Sequence, residues 1–240
     1  MKMSVATNLK FNCNLWKDLF TKSFALQLQG IVASLENRLL PNFFDIEEEA
    51  KSVTKATWDA FMSSPSSGDE DPSDFAEAAE QAGASHYILL KGLCQGMINL
   101  FAAALYQTFE QQAMLFLRYQ VLQPDETNNI NLFKMSILQK RMKVAGIKID
   151  TFSSWNKIDE LRLLANTVKH AEGNSAQKLH LLRHDLFEHP QVLGLTLDST
   201  PHIFLPLAGE GLYVSVTDVR QYCDSLLLFW EELFEAMKNA

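Results

Sequence analysis

Residues 161–179 read LRLLANTVKHAEGNSAQKL: a run of leucines meets an asparagine, a lysine and a histidine, breaks at a glycine and resumes. Placed on a helix at about 100° per residue, Ile158, Leu161, Leu164, Ala165 and Val168 gather on one side, as a core-facing stripe does. Asp159, Arg162, Asn166 and His170 form a second stripe beside it, since i,i+4 steps stack side chains up one face. Leu163 falls within that polar arc, so the face is expected to be partly covered by a second subunit and to form a cleft. The spacing predicts a helix over 155–170 that ends on His170, where free carbonyls favour a cation. Gly173 is expected to release the chain, with Asn174 or Ser175 capping the next helix. Lys169 adds positive charge at this corner, and amides at a helix start suit a phosphate.

Outward from this corner the chain reads as mostly helical, because glycine and proline are rare inside its long apolar-periodic stretches. Helices are expected over 14–40, 45–62, 74–81, 85–122, 131–144 and 174–184, besides 155–170. The stretch SSPSSGDEDPSD at 63–74 reads as an acidic surface loop, and QPDETNN at 123–129 as a second loop. After Pro190 the pattern changes. IFLPL, AGEG and LYVSV at 203–216 suggest two short strands around a glycine turn, and Thr217 an N-cap for a last helix whose apolar side carries Leu226, Phe229, Trp230 and Phe234. The expected fold is all-α: an up-and-down helical bundle with a small C-terminal β-hairpin before the last helix. Residues 1–240 are read as one helical domain; the alternative sets an N-terminal helical pair, 1–62, and an acidic loop, 63–73, apart from a core at 74–240.

Composition narrows the function. At 240 residues the chain can bury a sizeable core. A formal net charge of −8 argues against unspecific attraction to nucleic acid over the whole surface, though not against a local basic site. Cys13, Cys94 and Cys223 are sparse and unpaired in spacing, which fits reduced thiols in a cytoplasmic protein. No signal-peptide run opens the chain, and YILLKGLCQGMINLFAAALY at 87–106 carries Lys91, Gln95 and Asn99 without a basic flank. That stretch reads as a helix buried on most sides, and no membrane is expected.

Asn-x-x-x-His on a helix after a leucine-rich run, followed by a glycine-containing break, resembles the motif of the HEPN superfamily of helical bundles. The resemblance implies a four- or five-helix core that dimerises and brings two motifs together. Many members of that superfamily are metal-independent ribonucleases of toxin–antitoxin, CRISPR and phage-defence systems; others bind nucleotides or proteins without catalysis. The family's usual signature places an arginine directly before the asparagine, where this chain has Ala165; Arg162, one turn earlier, is the nearest substitute. The implied roles are His170 as general base and acid, Asn166 orienting, and Arg162 or Lys169 opposing phosphorane charge. Glu110, on the long helix, would fix the tautomer of His170, and Ser175 would line the phosphate corner. The implied partners are RNA or a nucleotide, an antitoxin or defence protein, and a second copy of the chain. The alternative is a non-catalytic nucleotide-binding or protein-interaction module of the same fold.

Other signals are weaker. His180 and His184 stand four apart, with His189 nearby, but lack the further ligands a zinc site needs, so no metal or cofactor is expected. GLCQG lacks the lysine–serine ending of a phosphate loop. The aromatic series Phe101, Tyr106, Phe109, Phe116 and Tyr119 reads as core packing.

Overall fold

A computed structural model describes residues 10–63, 71–190, 203 and 205–240. Its helices are α1 (Cys13–Leu19), α2 (Ala25–Ser34), α3 (Ile46–Ser63), α4 (Pro72–Phe116), α5 (Met135–Val144), α6 (Trp155–His170), α7 (Asn174–Leu182) and α8 (Val216–Lys238). The π-helical turn Phe20–Phe24 joins α1 and α2 into one rod, which a second π-helical turn, Leu35–Leu39, extends until Pro41 ends it in a short 3-10 turn. The described chain is all-α.

The long helix α4 organises the rest, packing along α3 and against α2, α6 and α8. The break expected between 81 and 85 does not occur. Gly83 stays inside α4 because α3 lies so close that a Cβ there would overlap the Thr54 hydroxyl; the glycine permits the approach rather than ending the helix. The core is a stack of large rings: Trp16 meets Phe116 edge-on at 4.8 Å, Phe20 stacks on Trp230 at 4.7 Å, and Phe109 meets Phe229 edge-on at 5.0 Å. Between them the buried Gln112 accepts from the Trp230 indole at 3.1 Å and donates to the Phe24 carbonyl, so the polar groups carried into the core are satisfied.

The expected hairpin does not form. Among the described residues there is no strand; Pro206–Ala208 is a 3-10 turn and residues 212–215 take no regular structure, the Tyr213 N–H donating to the Leu186 carbonyl at 2.8 Å. Phe204 lies outside the described residues, as does most of the expected acidic loop, 64–70. The polar groups that would have paired across a hairpin are taken by α4 side chains. Asn99 donates to the carbonyls of Pro206 and Leu212, and Gln95 donates to that of Val214. Gly96 lets the loop settle: a Cβ there would overlap the Leu207 carbonyl oxygen. The cap of α8 is also Ser215 rather than Thr217, in a reciprocal box with Asp218.

The middle of α4 is less covered than its sequence suggests. Ile88, Leu89, Leu93 and Leu100 are about half exposed or more, and Leu205 and Leu207 of the neighbouring loop are exposed as well. Pro72–Val121 is long and apolar enough to cross a bilayer by length and composition, with a third (33%) of its most apolar window buried.

Candidate functional site

Helix α6 carries both stripes anticipated above. Ile158, Leu161, Leu164 and Val168 are buried, and so is Leu163 at 3% exposure. The cover over Leu163 comes from the chain itself. The start of α6 is held from α8. The Glu232 carboxylate accepts from the backbone N–H groups of Ser153 and Ser154 at 2.7 and 3.3 Å, and from both hydroxyls. Burial pushes the Glu232 pKa up, but the serine hydrogen bonds outweigh it and hold the carboxyl below its ordinary range.

At the other end the chain turns sharply. Ala171, not Gly173, takes the first left-handed step, at φ 55° and ψ −112°. Gly173 then occupies the cap position of α7 at φ 150°, with no side chain capping the first amides. An alanine there sits in a sparsely populated region that costs about 1–3 kcal/mol. Ala171→Gly is therefore expected to raise stability by about 1 kcal/mol, after allowing about 0.5–1 kcal/mol for the looser unfolded chain. The urea midpoint of unfolding checks this; a lower midpoint would contradict the strain.

This corner brings three of the candidate residues together. Asn166, His170 and Ser175 line one open hollow of about 160 Å³ together with residues 171–174. His170 and Lys169 are exposed, and Asn166 and Ser175 half-buried. Arg162 lies apart. Its Nε donates to Asp159 Oδ1 at 2.7 Å, and it lines a separate hollow of about 310 Å³ with Tyr106, Trp155, Ser136 and Gln139. Glu110 lines neither hollow, but its charge acts on Tyr106 of the second. Burial, then the negative charge of Glu110, push the Tyr106 hydroxyl up to about 12. No hydrogen bond joins Glu110 to His170 among the described residues.

The two hollows are consecutive on one face, since Trp155, Asp159, Arg162, Asn166 and His170 recur at steps of three or four. Arg162 to Asn166 is about 6 Å of helix rise, and Arg162 to His170 about 12 Å. Sequence reasoning missed Trp155, Ser136 and Gln139; Tyr106, read as core, is buried in it and also borders this hollow, and Trp155 could have been found from its register with the polar stripe.

Sequence reasoning also missed the clamp that fixes the far end of α7. Arg183 forks onto Asp185 with two bonds, at 2.9 and 2.7 Å, and reaches Glu160 of α6 at 2.7 Å and Asp218 of α8 at 2.9 Å. Tyr222 donates to the same Glu160 oxygen at 2.7 Å, and Lys157 approaches it at 2.8 Å. Five charged groups thus tie three elements and pin α7 opposite the His170 corner. His180 and His184 lie ring to ring at 4.4 Å, with His184 against Glu188 at 2.9 Å.

Compared with known proteins, the chain matches no family model, no curated protein and no solved structure.

Proposed function

We propose that this chain is a HEPN-like RNA-binding protein of the toxin or phage-defence type, which receives a phosphodiester at the Asn166–His170 corner. One observation carries the reading: Asn166 and His170 line a single hollow together with the start of α7, whose first amides no side chain caps. In a cleaving step His170 takes the proton from a ribose 2′-hydroxyl, the 2′-oxygen attacks phosphorus, and the 5′-oxygen leaves with a proton returned to it. Lys169, exposed beside His170, supplies the cation for the developing phosphorane charge, and Asn166 orients the phosphate. A cytoplasmic homodimer acting with an antitoxin or defence partner belongs to the same reading, and Leu181 and Leu182 offer exposed apolar surface at the far end of α7 from the corner.

A second reading rests on Arg162. Its bond to Asp159 and its place in a separate hollow leave the corner without the guanidinium expected there, which favours nucleotide binding without turnover. One experiment separates the two. A single-stranded RNA oligonucleotide is incubated without metal with the wild type and with His170→Ala, folding being checked by circular dichroism. A loss of more than tenfold in cleavage supports the enzyme. Binding without cleavage, weakened by the same substitution, supports the module. RNA neither bound nor cut by the wild type overturns both.

A further inference from the structure

We propose that the hollow between α4, α5 and the first turns of α6 is a subsite for a guanine base of the same RNA. This rests on the reading of the chain as an RNA-binding protein and names which base is held beside the phosphate corner. At about 310 Å³ the hollow is at the small end of ligand sites, suited to one compact planar group. Trp155, half-buried, presents an indole wall, and stacking on such a wall is how unpaired bases are held.

The polar groups that converge on the hollow are largely uncommitted. Among the described residues, the Tyr106 and Ser136 hydroxyls, the Gln139 carboxamide and both Nη groups of Arg162 make no hydrogen bond within the protein. Tyr106 is 7% exposed as a whole residue, and its hydroxyl, which has no protein partner, still reaches solvent. Asp159 spends only Oδ1 on Arg162. What remains is a guanidinium edge that donates beside a carboxylate oxygen that accepts. Guanine is the base that answers both. Its O6 and N7 accept from arginine, while its N1–H and N2 amino group donate to a carboxylate. Adenine offers a donor where O6 accepts and has no N1–H, so it leaves both protein groups poorly matched. The register of α6 places this subsite about 12 Å, from Arg162 to His170, before the phosphate corner, on the same face.

The test titrates guanosine and adenosine, which carry no phosphate, into the intact protein by calorimetry. Wild type is expected to bind guanosine saturably and adenosine at least tenfold more weakly. Asp159→Asn, which turns the acceptor into a donor at a partly exposed position, is expected to weaken guanosine at least tenfold. His170→Ala is expected to leave guanosine binding unchanged. Absence of saturable guanosine binding, equal binding of adenosine, or indifference to Asp159→Asn would overturn the subsite. RNA binding that depends on His170 but not on guanine would do so while sparing the phosphate corner. Guanosine bound with no effect of His170→Ala on RNA would do the reverse.

Discussion

Asn99→Leu is expected to lower the stability of the chain by about 4 kcal/mol, the largest single effect foreseen here. Asn99 is fully buried on α4 and serves four partners. Its Nδ2 donates to Pro206 and Leu212 carbonyls at 2.7 and 2.9 Å, and its Oδ1 accepts from the Val214 N–H at 3.3 Å and from Gln95 at 3.0 Å. Leucine keeps the branching and the number of side-chain heavy atoms, though it is bulkier, and removes every bond. Two backbone groups in the loop over α4, the Leu212 carbonyl and the Val214 N–H, would then lose their partner at about 1–3 kcal/mol each, and the Pro206 carbonyl would keep only the long bond from the Gly209 N–H at 3.4 Å, offset in part by the gain in apolar burial. The urea midpoint should fall with little change in slope, since the same surface is exposed on unfolding. Asn99→Asp supplies the contrast. At pH 8 the new carboxylate would face two carbonyls, so this change should cost at least as much. Burial raises the pKa of such a carboxyl, so its deficit should shrink as the pH falls towards 5 and a protonated oxygen donates again. A loss below about 1 kcal/mol for Asn99→Leu would mean that the loop is not anchored through this side chain.

The same asparagine shows what was legible beforehand. The period of α6 was plain because Leu161, Leu164 and Val168 repeat without interruption, and the helix ends where Ala171 turns. The stretch 203–216 misled because β-branched and aromatic residues around a glycine turn describe a pleated surface equally well whether a strand or a helix lies beside it. What decided against pairing was Asn99, over a hundred residues earlier, whose position on the helix no local pattern reveals. Gly83 misled in the same way: locally it is a breaker, and only the closeness of Thr54 explains its place. The corner at Asn166 and His170 was legible because one helix carries both residues. The hollow around Trp155 was not, since it needs Tyr106 from α4 and Gln139 from α5.

Arg183→Met is expected to cost about 3 kcal/mol at neutral pH, and to cost less in mild acid. Arg183 is 20% exposed, and Glu160 and Asp218 are 14% and 12% exposed, so the variant would leave Asp218 with Ser215 and no cation, and Glu160 with Lys157 and Tyr222, where water reaches poorly. Removing one member of such a set is far more damaging than the set is stabilising. The pH dependence follows from the carboxyls. The Arg183 fork holds Asp185 below its ordinary pKa; Asp218 is pushed up by burial but held below its ordinary value overall by Ser215 and Arg183. Groups with depressed values contribute stability that is present above their unfolded pKa of about 3.9 and lost as the pH falls through the folded values. Without the guanidinium the carboxyls titrate higher, so protonation relieves the variant before it harms the wild type. The difference in urea midpoint should therefore narrow between pH 7.5 and pH 4.5. Arg183→Lys keeps the charge but not the planar fork, and should fall between the two. Because Arg183 holds the far end of α7, hydrogen exchange over 174–182 should quicken in Arg183→Met, and the hollow at His170 should loosen with it. Unchanged exchange there, with a lower midpoint, would show that the clamp stabilises α6 and α8 without positioning the corner.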